Sequence, residues 1–135
     1  MKSKSARIIF GLGAFVVVSV FILNTLAMRF YWYWAFPWFD IMMHGLGGIF
    51  LGIMAGWMLS IKQKTNWIHY IFFGIIMAFV VGFGWELLEG GLDMINGSHL
   101  QPDRLDTITD LLSDSIGGIV GGLFAWKINY FYGRK

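Results

Sequence analysis

The apolar positions of this 135-residue chain form four nearly unbroken runs, at residues 8–28, 41–61, 68–88 and 108–128. A helix of a water-soluble protein is apolar along one stripe, whereas a run that is apolar all round takes lipid as its solvent. Crossing the hydrocarbon core needs about 20 such residues, and each run is long enough. The pattern predicts an all-α membrane protein, a four-transmembrane-helix bundle forming a single integral membrane domain over residues 1–135. Its first partner is then the lipid bilayer.

The polar positions between the runs give an orientation. Lys2, Lys4 and Arg7 precede the first run, Lys62 and Lys64 separate the second from the third, and Lys127, Arg134 and Lys135 close the fourth. The other two connections carry only Arg29 and Arg104. By the positive-inside rule both termini and the middle loop are cytoplasmic, and the remaining loops face out. Thr25-Leu26-Ala27 would pass as a signal-peptidase site, but the apolar stretch before it is long for a signal peptide and reads as an uncleaved span.

Composition narrows the function classes. At 57% hydrophobic and 13% charged, the chain could not stay dispersed in water. It has no cysteine, which excludes a disulfide framework, a thiolate metal site and a Cys nucleophile. The net charge of +2 sits in clusters beside the spans and marks topology, so no nucleic-acid partner is expected.

Of the two outer connections, the first is mostly aromatic from Phe30 to Phe39 and reads as a belt lying at headgroup depth. The second, residues 89–106, carries the turn signals Gly90-Gly91, Asn96-Gly97 and Gln101-Pro102. Asn96-Gly97-Ser98 fits a glycosylation pattern too common by chance to be given weight.

Every acidic residue falls on the outer side of this topology, joined by His44 one turn inside the second span. Residues four apart stack along one ridge of a helix. The ridges read Asp40, His44, Gly48, Gly52, Gly56 on the second span; Gly74, Ala78, Gly82, Glu86, Gly90 on the third, with Glu89 alongside; and Asp106, Asp110, Asp114, Gly118, Gly122 on the fourth. Each is polar at its outer end and small further in. Small residues let membrane helices approach closely, so the glycine halves are candidate packing seams and the polar ends should converge.

Helix capping accounts for part of this acidity. Asp40 and Asp106 suit N-caps, and Thr107 with Asp110 has capping-box spacing. Glu86 and Glu89 fall at the C-terminal end of the third span, where the helix dipole disfavours negative charge, and neither Asp114 nor His44 is explained by a cap. Intramembrane ionisable groups mark functional sites by default. The candidate site is therefore Asp40, His44, Glu86, Glu89, Asp110 and Asp114, with His44, Glu86, Glu89 and Asp114 as its candidate catalytic groups. Something must neutralise it: shared protons, Arg29 or Arg104, or a divalent metal held by those six residues. Carboxylates and one imidazole on facing helices suit Mg²⁺, Mn²⁺, Zn²⁺ or iron, and spacing does not choose among them.

The ordered set Asp40-x-x-x-His44 with Gly47-Gly48, Trp85-Glu86-x-x-Glu89, and Asp106-Thr107-x-x-Asp110-x-x-x-Asp114-x-x-Gly117 resembles the small bacterial membrane proteins of the YjdF-like family and, more loosely, the VanZ-like proteins. The likeness covers the second to fourth spans. Glu89 stands where VanZ-like proteins tend to have Gln, and Asp114 where many have Asn, which favours the first family. The resemblance implies a bacterial inner-membrane protein. VanZ-like proteins are associated with lowered teicoplanin susceptibility, which points to the cell envelope.

Three functions compete. The first is metal-dependent or acid-base action on, or binding of, a lipid or cell-envelope component at the outer leaflet, with Arg104 holding a headgroup phosphate or simply pairing with Asp103 or Asp106. The second is cation- or proton-coupled transport, against which stands the lack of an ionisable relay in the inner halves of the spans. The third is a structural role toward a membrane partner.

Overall fold

A computed structural model describes residues 4–61, 66–96 and 104–133. Lys2, Lys62, Lys64, Asp103, Arg134 and Lys135 lie outside the described residues, as do the turn signals from Gly97 to Pro102 and the Arg104 side chain. The elements are α1 (Lys4–Phe30), a one-turn α2 (Trp32–Ala35), α3 (Phe39–Ile61), α4 (Trp67–Asn96) and α5 (Arg104–Tyr132). All but α2 are long and apolar enough to cross a membrane. The expected four-helix architecture is present.

The helices outrun the apolar spans read from the sequence, and two of these extensions bear on the acidic residues. α4 runs through Gly90-Gly91 to Asn96, and α5 begins at Arg104 instead of 108. A helix leaving the hydrocarbon still satisfies its backbone internally, and each glycine costs it only about 1 kcal/mol. The turn expected at Gly90-Gly91 therefore does not form. Asp40 and Asp106 lie inside the first turns of α3 and α5 rather than at their caps, where the dipole still favours them. Glu86 and Glu89 are two to three turns short of the end of α4, so the dipole penalty assigned to them has largely decayed.

α5 makes its most extensive contacts with α3 and α4, while α1 packs mainly on α3. The three ridges face one another: Gly48, Gly52 and Gly56, Gly74, Ala78 and Gly82, and Gly118 and Gly122 are all buried. The paired glycines of α5 divide their work. A methyl group on Gly117 or Gly121 would meet the α3 backbone at Gly45 or Ile49, and one on Gly118 or Gly122 would meet the α4 backbone at Gly74 or Tyr70. Both overlapping small-xxx-small spacings are used, each against a different neighbour.

Two apolar clusters close the bundle at either end. Ile9, Ile53, Tyr70 and Ala125 are buried together at the basic end. There Ser5 donates to Asn129 Oδ1 at 2.9 Å, and Asn129 Nδ2 donates to the Tyr70 hydroxyl at 2.9 Å, tying α1, α5 and α4. At the other end Ala27, Phe39 and Met43 are buried, with Trp32 and Tyr33 packed against them. Part of the expected aromatic belt is thus core. Tyr31, Trp34 and Trp38 remain exposed, as an interfacial belt requires. Tyr31 adopts a left-handed conformation, φ 59°, that breaks the chain between α1 and α2, and its carbonyl is taken by the amides of Trp34 and Ala35.

Candidate functional site

At the end of the bundle where α3 and α5 begin and α4 leaves, the polar ends of the three ridges converge. This acidic end is built by α3, α4 and α5; α1 contributes no residue to it. Along α4 and α5 burial deepens inward. Asp106 is half-buried and Asp110 and Asp114 are buried on α5; Glu89 is half-buried and Glu86 buried on α4; and Asp40 and His44 of α3 are half-buried.

His44 is the centre. Its Nδ1 lies 3.1 Å from Asp114 Oδ2, and its Nε2 lies 3.8 Å from Glu86 Oε1. With the Asp114 oxygen as acceptor, Nδ1–H is the donor of this pair. Room for the Asp114 carboxylate comes from Gly82, where a methyl group would collide with Oδ2. This glycine on the α4 ridge is thus as much a site residue as the acid it admits. Beside Asp114, Ser113 donates to the carbonyl of Ile41 at 2.6 Å and fixes α5 to the start of α3.

All six predicted site residues belong to this layer. One ligand atom from each of Asp40, His44 and Asp110 lies within 4.8 Å of the others, and the same holds for His44, Glu86 and Glu89. Asp110 is 2% exposed, and its Oδ1 is buried without a hydrogen-bond partner. Of the basic groups considered as counter-charges, Arg29 is exposed at the end of α1, whereas His44 touches the acids directly.

The chain matches a family model over residues 3–130 that is described as a predicted membrane protein family, DUF2238. The chain belongs to the DUF2238 family. No curated protein and no solved structure matches it. DUF2238 is described as a predicted membrane protein family, in agreement with the four helices long and apolar enough to cross a membrane.

Sequence reasoning missed three contributors to this DUF2238 site. Trp85 donates its indole N–H to Glu89 Oε1 at 2.7 Å, a pairing its i, i+4 spacing could have signalled. Ser113 could have been found one position before Asp114. Tyr33 carried no such signal, being one ring among many in the aromatic segment. It packs edge-on against Phe39 with centroids 5.0 Å apart and donates to Asn24 Oδ1 at 2.8 Å. Burial, with the nearby charges of Asp40 and Glu89, pushes its phenol up to about 12. Tyr33 therefore stands as a neutral donor beside the entrance to the acidic layer.

Proposed function

We propose that the protein binds a lipid or cell-envelope component at the outer face of a bacterial inner membrane and acts on it through the Asp40, His44, Glu86, Glu89, Asp110 and Asp114 layer. One observation carries this reading: the layer is closed beneath and graded above. Below Asp114 the backbones of α3, α4 and α5 meet at Gly52, Gly74 and Gly118 with no room for a methyl group. Above it, half-buried Asp40 and Glu89 lead inward to buried Glu86, Asp110 and Asp114.

A site entered from one side suits a reactant held at headgroup depth. A conducting path, by contrast, needs polar positions toward both faces of the membrane. The Lys and Arg distribution supports placing the acidic end outside, and the resemblance to the YjdF-like and VanZ-like proteins supports an envelope setting. The cluster offers carboxylates to move a proton at a reacting headgroup oxygen.

The test is a bacterial strain lacking the protein, complemented with the wild type, Glu86→Gln or Asp114→Asn, with membrane abundance measured for each. Lipid extracts and wall precursors are compared by mass spectrometry. The expected result is a species that accumulates in the deletion and is normalised by the wild type but not by the variants. Full normalisation by both variants at wild-type abundance would refute the reading.

A further inference from the structure

We infer that the acidic layer is a divalent-cation site in which His44 Nε2 is the nitrogen ligand, the carboxylates come from Asp40, Glu86, Glu89 and Asp110, and Asp114 is a positioning residue. The inference concerns the same layer as the proposed envelope function and names the cofactor class it takes.

The choice of nitrogen follows from the tautomer. Nδ1 lies 3.1 Å from the Asp114 carboxylate; with that oxygen accepting, Nδ1 carries a proton and the lone pair of a neutral ring is on Nε2. That nitrogen stands 3.8 Å from Glu86 Oε1. The separation is too long for a hydrogen bond. It is what two atoms each about 2.1–2.2 Å from a shared ion show when they subtend an angle of about 120–130°. A four- or five-coordinate centre accommodates such an angle.

The remaining ligands are within reach. Glu89 completes a trio with His44 and Glu86, and Asp40 and Asp110 complete a second trio with the same histidine, each trio having its ligand atoms within 4.8 Å of one another. Both trios include His44, and a single ion on its Nε2 would draw its oxygen ligands from these four carboxylates. An independent sign of a missing partner comes from Asp110, only 2% exposed, whose Oδ1 has no hydrogen-bond partner. Leaving a buried acceptor unsatisfied is costly, and a coordinated cation removes that cost.

Asp114 then has the part that carboxylates take behind metal-bound histidines, holding the ring and raising the basicity of the ligating nitrogen. Gly82 and Gly48 keep it there. A methyl group on Gly82 would strike the Asp114 carboxylate, and one on Gly48 would strike its backbone carbonyl.

The test uses the full chain, purified in detergent with chelator and then freed of it. Zn²⁺ and Mn²⁺ are titrated separately by calorimetry, and the ring nitrogens of ¹⁵N-histidine protein are followed by NMR. The expected result is one ion per chain, with Nε2 the shifted nitrogen of His44 and Nδ1 protonated throughout. Glu86→Gln and Asp110→Asn each abolish stoichiometric binding. Asp114→Asn keeps the fold, judged by thermal unfolding, and weakens binding about 10- to 100-fold.

Three results would overturn the inference: folded wild-type protein that binds neither ion, binding that shifts Nδ1, or unchanged affinity in folded Glu86→Gln. The outcome is separable from that of the envelope reading. An ion bound as described while Glu86→Gln and Asp114→Asn both still complement the deletion supports the cation site and sinks the envelope function. Lost complementation without any ion does the reverse.

Discussion

Gly118→Ala tests the packing that aligns the three polar ridges. A Cβ on Gly118 would stand 2.5 Å from the Gly74 carbonyl oxygen and 2.9 Å from both the Gly74 carbonyl carbon and the Ala78 Cβ. Ordinary contacts lie near 3.5 Å, so α4 and α5 must separate by about 1 Å. Two of the three opposing atoms are backbone and cannot rotate away. Overpacking of this kind costs about 1–3 kcal/mol, while replacing a mid-helix glycine by alanine returns about 1 kcal/mol of helix propensity. Gly84→Ala is the control, because nothing lies within 4 Å of a Cβ there. Both variants gain the propensity term, so the difference between them isolates the clash. Equilibrium unfolding in mixed micelles, followed by tryptophan fluorescence, should place Gly118→Ala about 1–3 kcal/mol below Gly84→Ala. At the middle of that range the unfolding equilibrium shifts by about 30-fold. The separation would also draw Glu86 on α4 away from Asp114 on α5, so cation affinity should fall in Gly118→Ala and hold in Gly84→Ala. Equal stability of the two variants would refute the close three-helix contact and, with it, the closure beneath the site.

Other expectations follow from single contacts. Asn129→Leu removes the hydrogen bonds to Ser5 and Tyr70 at the basic end and should cost about 1–3 kcal/mol in the same assay without altering ion binding. Tyr33, pushed up to about 12, should ionise well above the ordinary phenol range in an alkaline absorbance titration, and Tyr33→Phe should remove that one-tyrosine component. Because its pKa is raised in the folded state, any stability linked to it is intact below about pH 10 and declines as pH rises toward 12; an unchanged titration in Tyr33→Phe would contradict the placement of this ring. A reporter active only outside the cytoplasm, inserted between residues 97 and 103, should be active, whereas one at the C-terminus should be silent; the reverse pattern would invert the topology.

The spans and their facing ridges could be read from the sequence because both are periodic signals. An unbroken apolar run needs no tertiary information, and residues at i, i+4 share a face whatever the neighbouring helix is. The seams on Gly48, Gly74 and Gly118 were visible for this reason. Helix ends were less legible: the Gly90-Gly91 signal is local, and α4 overrides it with a continuous backbone ladder to Asn96. The dipole argument that singled out Glu86 and Glu89 therefore rested on a misplaced helix end, although both residues belong to the layer. What marks Glu86 is burial, at 3% exposure. Tyr33 and the orientation of the His44 ring were invisible because they depend on pairings between helices, which no spacing along one helix encodes.

Those pairings also turn the excess of acids into a quantitative constraint. Glu86, Asp110 and Asp114 are each no more than 3% exposed, and among the described residues the basic group that touches them is the His44 imidazole. Burying unpaired charge costs far more than burying a neutral polar group, so all three carboxylates cannot remain bare. Even a doubly protonated His44 would offset only one of them, leaving the charge of two. Protons must neutralise two carboxylates separately and would use up the lone pairs that the layer presents. A divalent ion of the kind inferred above would bring two positive charges to a single point, leave Nδ1–H to Asp114, and meet the unpartnered oxygen of Asp110. The glycines that bring the three helices together concentrate negative charge as they do so, and the same packing therefore creates the demand for a counter-charge at this layer.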